Sequence, residues 1–400
     1  MAERTPHPIT AYALSCGLGR TTDEVFQALR DKRRGLREVP FEIPFEAITG
    51  TVPGGPLPPL PEPFRDRESR TARLTALGFR GIEADVLAAR EHWGPERVAI
   101  VLGTSTGGID RTEYAHFDWF GRGAPEPPAL PADYDYPKQH PFHAFEDLVA
   151  EMAGLEGPRF VVSTACSSSA KVFSSARRLL ELGLADAVLV GGVDGLCNTT
   201  VRGFNSLGVM ASEPCRPFGA ERPGMNVGEG AAFLLLERPG RAPARAWLRG
   251  VGETSDAYHM SSPEPEGRGA LAAMEQALAE GGVRPEQIGY VNAHGTGTKY
   301  NDAAESKALH TLFGDGTPVV STKAYTGHTL GACGAVEAIF SILALEEGWI
   351  PAGLGATPRD PEVHIAIPDD ILRQDMRFVL SNAFAFGGNN ASLLLERGES

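Results

Sequence analysis

Short apolar runs rich in β-branched residues recur along the chain and predict the strands of a buried sheet. They lie at residues 97–102, 159–163, 187–190, 288–291 and 378–381. Near-continuous apolar character of this kind is typical of strands that are covered on both faces. The pattern therefore favours an α/β protein over an open antiparallel sheet.

Segments with apolar residues at helical spacing alternate with these strands. Helices are predicted at residues 168–182, 271–280 and 334–347. In the last of these, Val336, Ile339, Phe340 and Leu343 form one apolar stripe. Strands and helices that alternate along a chain predict a layered α/β fold.

Two glycine-led segments of the chain resemble each other. Residues 228–238 read GEGAAFLLLER and residues 387–397 read GGNNASLLLER, which match at seven of eleven positions. The match has two interpretations: coincidence between two similar hairpins, or duplication of a half that ends in the same strand each time.

Composition narrows the class of protein. The 400 residues are 42% hydrophobic, and 37 basic against 51 acidic side chains give a formal net charge of −14. This is a globular composition, long enough for one large α/β unit or two fused halves. The acidic balance disfavours nucleic-acid binding, which needs a concentrated basic face.

Cysteine use and the chain start indicate a reduced compartment. No signal peptide or membrane-spanning run is recognisable, so we expect a soluble, cytoplasmic protein that does not bind membranes. The cysteines are odd in number and form no CxxC pair, which predicts free thiols and no zinc site. They are Cys16, Cys166, Cys197, Cys215 and Cys333.

Cys166 is the first candidate for chemistry. It lies between an apolar strand and a predicted helix, in the run VVSTACSSSA. Free backbone N–H groups and the helix dipole favour a thiolate at such a turn. The alternative is a buried cysteine that serves as a small apolar residue.

Two histidines and a lysine occupy glycine-rich loops in the second half. His294 lies in NAHGTGT directly after a predicted strand, and Lys323 precedes His328 by five residues in STKAYTGH. A cation and an imidazole could therefore share one cleft, with Glu337 on the following helix as a partner for Lys323. A surface lysine and a helix-capping histidine would be the alternative explanation.

A fourth candidate is the run NAFAFGGNN at residues 382–390. Phe384 and Phe386 precede Gly387 and Gly388, and two interpretations are open. The phenylalanines could belong to the core before a turn, or they could flank a backbone N–H donor site as an aromatic gate.

Taken in order, these segments resemble the β-ketoacyl-acyl-carrier-protein synthases, condensing enzymes of the thiolase superfamily. The resemblance covers essentially the whole chain. It implies an α/β fold that is a duplicated αβαβα five-layer sandwich, with one half at residues 1–240 that carries the cysteine and another at 241–400 that carries the histidines and the lysine. It also implies a dimer, either a homodimer or a heterodimer with a chain-length-factor homologue.

The resemblance also implies roles for individual residues. Cys166 would accept an acyl group from acyl carrier protein, and His294 and His328 would hold the malonyl thioester oxygen. Lys323 with Glu337 would order the site, while the N–H groups of Cys166 and Phe386 would form an oxyanion hole that Phe386 also gates. The expected substrate-binding residues are Thr296, Thr298, Phe384, Gly387 and Gly388. No metal or organic cofactor is expected, because the phosphopantetheine arm arrives with the carrier protein.

The chain departs from the family pattern at several positions. Gly219 stands where Asp is usual, residues 225–227 are unusual, and Asn389 replaces the commoner Thr. These departures leave open whether the condensation serves fatty acid, type II polyketide or aryl-polyene synthesis.

Three other functions compete with condensation. A non-catalytic chain-length factor would lack Cys166, a degradative thiolase would carry a second catalytic cysteine near the C-terminus, and a cysteine hydrolase would need a His-Asn or His-Asp relay. The residues above favour none of the three.

Two clusters of arginines give this acidic chain locally basic segments. A carrier protein is itself acidic, so a local basic surface is needed to bind it. The resemblance implies docking near Arg65, Arg67, Arg70 and Arg73, although a solvated helix face explains them equally well. A second basic run contains Arg30, Lys32, Arg33, Arg34 and Arg37.

Overall fold

The computed structural model describes residues 5–121 and 130–398. Its strands are β1 (His7–Cys16), β2 (Leu36–Glu38), β3 (Ile48–Gly50), β4 (Val98–Gly103), β5 (Arg159–Val162), β6 (Ala187–Asp194), β7 (Gly230–Glu237), β8 (Ala246–Ser255), β9 (Ile288–Asn292), β10 (Val319–Val320), β11 (Trp349–Ile350), β12 (Leu372–Arg373), β13 (Phe378–Ala385) and β14 (Asn389–Arg397). Its helices are α1 (Thr22–Arg30), α2 (Arg70–Arg80), α3 (Glu83–Trp93), α4 (Ile109–Gly121), α5 (Tyr136–Gln139), α6 (His143–Ala153), α7 (Ser168–Glu181), α8 (Asn198–Ser206), α9 (Arg268–Gly281), α10 (Lys299–Phe313), α11 (Lys323–Thr326) and α12 (Cys333–Glu347).

The main sheet consists of two equivalent halves joined edge to edge. Its strand order is β10-β9-β13-β14-β8-β1-β7-β6-β4-β5. Read outward from the β1–β8 junction, each half shows two antiparallel pairings followed by two parallel ones. The same order and the same strand directions in both halves identify a duplication.

The repeated glycine-led segments occupy equivalent strands. The first forms β7 and the second forms β14, and each strand pairs with the first strand of its own half. The duplication interpretation of the sequence repeat is therefore confirmed, and chance similarity of two hairpins is not needed to explain it.

Helices and sheets stack in five layers. Buried residues of α7 and α12 form one core cluster with both halves of the sheet. A second cluster packs α2, α3 and α6 on the N-terminal half, and a third packs α9 on the C-terminal half. This is the thiolase-like αβαβα sandwich that the family resemblance implied, with α7 and α12 in its middle layer.

The predicted elements appear with modest changes at their ends. All five predicted strands form, and β6 and β13 extend four residues further than predicted. All three predicted helices form, and α9 begins three residues earlier than expected. Among the described residues, no helix has the length and apolarity needed to cross a bilayer.

The halves meet through a short pairing between their first strands. His7, Pro8 and Ile9 of β1 pair with Leu248, Trp247 and Ala246 of β8. β7 ends at Glu237 and β8 begins at Ala246, so the division expected at residue 240 lies between them.

Arg70 forms part of the fold through a buried carboxylate. Its Nε and Nη2 donate to Glu229 at 2.6 Å each, and Glu229 also accepts from the backbone N–H groups of Val52 and Leu196. The Glu229 side chain has no exposed surface. Arg70 therefore neutralises a buried charge, which is a different task from the carrier-protein docking that the sequence suggested.

We expect Arg70→Met to destabilise the protein by about 3–5 kcal/mol, because it leaves a buried carboxylate without its partner. Arg73→Met is the matched control, since Arg73 pairs with Glu68 at a partly exposed site and should cost less than about 1 kcal/mol. Urea unfolding of both variants measures the difference. Equal effects would contradict the structural role of Arg70.

Candidate active site

Cys166 lies at a tight turn between β5 and α7. The residue before it, Ala165, has φ = 51°, a left-handed conformation that costs a residue with a side chain about 1–3 kcal/mol. Ser168 Oγ donates to the Ala165 carbonyl and accepts from Thr164 N, which holds the turn in place. Ser168, at the start of the predicted helix, therefore stabilises the strained turn that carries Cys166.

The surroundings of the Cys166 thiol are apolar but contain donors for an anion. Burial raises its pKa to about 11, while Lys323 and the backbone N–H groups of Phe386 and Cys166 act in the opposite direction. Only 7% of Cys166 is exposed. The two N–H groups are the pair that the sequence assigned to an oxyanion hole, and the structure brings both to the thiol.

A buried charged pair lies behind the thiol. Lys323 Nζ donates to Glu337 Oε1 at 2.5 Å and lies 3.2 Å from His294 Nδ1. Burial alone would lower the pKa of Lys323, but Glu337, Cys333 and Glu305 together outweigh it and the pKa is raised. The structure thus brings three predicted residues, from the loop after β9, from α11 and from α12, into one contact.

His294 is held as a neutral donor. Burial, followed by Lys323 and His328, lowers its pKa well below the ordinary value. An ammonium can only donate, so Nδ1 of His294 accepts from Lys323 and the ring proton lies on Nε2. His294 can therefore offer an N–H to a substrate oxygen.

His328 faces the same space. Its ring centroid lies 5.2 Å from that of His294 at an angle of 84°. Within the described part of the chain, neither ring nitrogen of His328 has a hydrogen-bond partner, although both are buried. Burial and Lys323 lower its pKa well below the ordinary value. A buried neutral imidazole with free nitrogens is suited to hold a ligand.

Two buried polar residues that the sequence analysis missed fix the histidine loops. Glu305 on α10 accepts from the N–H groups of His294 and Gly295 at 2.8 and 2.7 Å. The Asn226 carbonyl accepts from the N–H of His328 at 2.7 Å, so the unusual segment at 225–227 holds the second histidine. Glu305 lies on α10, a helix that the sequence analysis did not predict.

A cavity of about 290 Å³ leads from the surface to these groups. Cys166, His294 and His328 lie along it, and Thr296 and Thr298 join hydroxyl oxygens at 2.8 Å on its wall. Phe384 and Phe386 line it as well, the first buried and the second 36% exposed. The predicted residues of all four sequence clusters therefore meet in one cleft.

Gly387 and Gly388 form the turn between β13 and β14. Both have positive φ, at 82° and 72°, and a Cβ on Gly388 would approach Asp256 within 2.8 Å. Asn389 Oδ1 accepts from Lys171 Nζ at 3.1 Å, which ties this turn to α7. The unusual asparagine therefore has a partner four residues into the helix that follows Cys166.

Gly219, which stands where the family usually has Asp, has a steric reason. A Cβ at Gly219 would lie 2.7 Å from the carbonyl oxygen of Gly355. An aspartate at this position would require the Gly355 segment to move.

His294, Cys333 and Glu337 place possible metal-ligand atoms within 4.8 Å of one another. Lys323 Nζ already contacts the histidine and the carboxylate of this group. The ammonium therefore supplies positive charge at the point where those two groups converge.

The remaining arginines predicted for docking lie outside this cleft. Arg65 pairs with Glu62 at 3.3 Å, Arg67 with Glu151 at 2.5 Å, and Arg73 with Glu68 at 2.5 Å. These contacts use carboxylates of the chain itself. Their docking role stays a prediction.

Comparison with known proteins agrees with this geometry. Residues 147–242 match the family described as "Beta-ketoacyl synthase, N-terminal domain", and residues 245–357 match "Beta-ketoacyl synthase, C-terminal domain". Nodulation protein E of Rhizobium sp. (strain N33) is 32% identical over 96% of this chain and 97% of its own length. The 3-oxoacyl-[acyl-carrier-protein] synthase 2 of Staphylococcus aureus is 33% identical over 76% of each chain.

A solved structure extends the likeness to three dimensions. In a ketosynthase in complex with its chain length factor from Xenorhabdus doucetiae, one chain aligns with a TM-score of 0.90 and 37% identity, covering 99% of this chain and 100% of the other. The fold, the cleft and these relatives together show that the chain belongs to the β-ketoacyl synthase family of the thiolase superfamily and is a condensing enzyme of the acyltransferase class.

Proposed function

We propose that the enzyme joins an acyl group held on Cys166 to malonyl-acyl-carrier-protein with loss of CO₂. The observation that carries the proposal is the convergence of Cys166, two neutral histidines and a buried ammonium on one cleft. A non-catalytic chain-length factor is the alternative, and the presence of the thiol among N–H donors argues against it.

In the first half-reaction the Cys166 sulfur attacks the acyl thioester of the carrier protein. The carbonyl oxygen gains negative charge next to the N–H groups of Cys166 and Phe386, which stabilise it. The carrier's phosphopantetheine thiol leaves with the proton that Cys166 loses. The protein supplies no cofactor in this step, since the reacting arm belongs to the substrate.

In the second half-reaction the malonyl group loses CO₂. The electron pair of the broken C–C bond forms an enolate, whose oxygen accepts hydrogen bonds from His294 Nε2 and His328. Its carbon attacks the acyl-Cys166 carbonyl, and the intermediate collapses to β-ketoacyl product and Cys166 thiolate. Burial and Lys323 keep both histidines neutral, and Lys323 also favours the thiolate, so one ammonium serves both half-reactions.

The proposed pathway rests on likeness to two relatives. The ketosynthase that aligns over the whole chain at 37% identity works with a chain length factor. That likeness supports elongation of the type II polyketide or polyene kind. Fatty acid elongation is the second candidate, favoured by the likeness to the Staphylococcus aureus synthase.

A second subunit would fit the outer edge of the sheet. β5 is the edge strand of the N-terminal half, and its Phe160 is 51% exposed. Edge strands with unpaired backbone groups and apolar side chains are sites of pairing with another chain. We propose that a dimer forms here, with either a second copy or a chain-length-factor homologue.

The proposed residue roles are tested by measuring both half-reactions in each active-site variant. We expect Cys166→Ala to abolish acyl-enzyme formation and condensation while malonyl decarboxylation persists. His294→Ala and His328→Ala should each slow decarboxylation about 10²–10³-fold, the usual effect of losing one donor to a developing anion, and should spare acylation. Intact-protein mass spectrometry and CO₂ release measure the two steps. Acylation of Cys166→Ala, or equal loss of both steps in the histidine variants, would contradict the roles given.

Carrier-protein docking is tested at Arg65 and Arg67. The double variant Arg65→Gln/Arg67→Gln should raise KM for acyl-carrier-protein about threefold to tenfold through loss of charge attraction. Turnover of an acyl-pantetheine analogue should not change. Arg238→Gln is the control, since Arg238 is an exposed arginine paired with Asp186. An unchanged KM in the double variant would identify these arginines as a solvated surface.

The proposed dimer contact at β5 is tested by measuring the molar mass of the protein in solution. Phe160→Glu should convert a dimer to monomers, because it places a charge in the apolar contact. Leu182→Glu is the control at an exposed apolar residue on a different element. Light scattering of the chain alone, and of the chain co-expressed with a chain-length-factor homologue, separates homodimer from heterodimer. A dimer that survives Phe160→Glu would place the interface elsewhere.

A further inference from the structure

The second basic run surrounds a pocket that the condensation reaction does not use. An open pocket of about 740 Å³ lies beside α1, distant in sequence and separate in lining from the cleft of Cys166. Four arginines line it: Arg20, Arg33, Arg34 and Arg37. In a chain with a net charge of −14, such a concentration of guanidinium groups requires an explanation.

Backbone carbonyls hold three of these side chains in place. Arg20 donates to the carbonyls of residues 53–56 at 2.7–3.0 Å. Arg34 Nη1 donates to the carbonyls of Cys215 and Ala324, and Arg37 Nη1 donates to that of Thr51. Carbonyls fix the direction of a guanidinium group but do not neutralise its charge. The groups are therefore preorganised and remain cationic.

Carboxylates around the pocket offset only part of this charge. Within the part of the chain that the structure describes, Arg20, Arg34 and Arg37 form no ion pair, whereas Arg33 lies 3.3 Å from Asp31. Asp23 and Glu24 also line the pocket, and Glu24 accepts from the backbone N–H of Arg20. Burial lowers the pKa of Arg34, and no carboxylate raises it.

The donors of Arg34 and Arg37 are only partly used. Among the described residues, Nε and Nη2 of both side chains have no acceptor, since the bonds above involve Nη1 alone. Guanidinium groups with free, fixed donors match the oxygens of phosphoryl groups, which they bind in pairs.

The pocket is connected to the catalytic lysine. Arg34 contacts the carbonyl of Ala324, the residue after Lys323, and the N–H of Gly35 donates to Tyr325 O at 2.7 Å. The Cys215 thiol, whose carbonyl also binds Arg34, donates to Lys323 O at 3.4 Å. The same short segment therefore borders both the pocket and the turn that carries Lys323.

We propose that this arginine pocket binds a small anion that carries two or more phosphoryl groups. A small ligand is favoured over an acidic protein surface because the site is concave and Arg34 and Arg37 are recessed, whereas Arg65 is an exposed arginine of the kind that an acidic helix can reach. Occupancy would neutralise guanidinium groups at the back of the Lys323 turn.

Calorimetric titration of the full-length protein with inorganic pyrophosphate, at constant ionic strength, tests the proposal. We expect saturable binding of one ion per chain. Arg33→Gln, Arg34→Gln and Arg37→Gln should each weaken it about tenfold, the effect of losing one charge-assisted contact. Arg284→Gln removes the same charge at an exposed position that does not line the pocket, and should leave affinity unchanged.

A separate control checks that the arginine variants still fold. Arg33 is exposed, and within the described chain its side chain makes no hydrogen bond to the backbone. Arg33→Gln therefore keeps the fold even if loss of the Arg34 carbonyl contacts does not. Unfolding midpoints without ligand verify this. A titration with ADP shows whether the phosphoryl groups of the ligand belong to a nucleotide. Tighter binding of ADP than of pyrophosphate supports a nucleotide diphosphate, and equal binding supports the free ion.

Three results would overturn the proposal. The first is a wild-type titration without saturable heat. The second is equal affinity in all arginine variants. The third is displacement of pyrophosphate by acyl carrier protein together with a raised KM for it in Arg34→Gln, which would make the pocket a protein-docking surface. None of them bears on acylation of Cys166, so this proposal and the proposed function can fail independently.

Discussion

The contact between Lys323 and Glu337 determines the electrostatics of the whole site. Both side chains are almost completely buried, at 1% and 3% exposure. Moving two charges out of water costs several kcal/mol per ion, and only a close, well-satisfied pair recovers it. Here the compensation is a 2.5 Å contact and a second one to His294. Burial and then the retained ammonium lower the pKa of both histidines, and the ammonium opposes the rise that burial causes in the pKa of Cys166, so its position acts on three titratable groups.

Duplication explains how these groups come together. β5 and β10 occupy equivalent places in the two halves, and each is followed by a helix of the middle layer, α7 or α12. The nucleophile lies at the start of one helix, while Lys323, His328 and Glu337 lie before and within the other. Because the two helices pack against each other, the loops that precede them converge. Neither half contains the complete site, which depends on the packing of both.

Sequence patterns predicted the parts of this structure that are local. Strand composition and helical stripes predicted a layered α/β fold, while the resemblance to the β-ketoacyl synthases implied its duplication and the roles of Cys166, His294, Lys323 and His328. Glu305 was missed because its role depends on a carboxylate of α10 returning to the loop before that helix. Arg70 was interpreted as surface charge because its partner, Glu229, is distant in sequence. Contacts of this type arise from tertiary packing, so the spacing of residues along the chain does not predict them.

The two active-site cysteines show how environment, rather than residue type, selects a nucleophile. The Cys333 thiol lies within 4.8 Å of polar atoms of His294 and Glu337, but it donates to the Cys166 carbonyl at 3.1 Å. Burial and the nearby Glu337 raise its pKa well above the ordinary value. Lys323 acts against this rise in both thiols, but Cys166 also faces two backbone N–H groups, and burial raises its pKa only to about 11. A thiolate on Cys333 would face an acceptor and a carboxylate, whereas one on Cys166 faces donors. The thiol that can ionise is therefore the one at the strained turn, and Cys333 remains a neutral donor that holds the nucleophile's backbone.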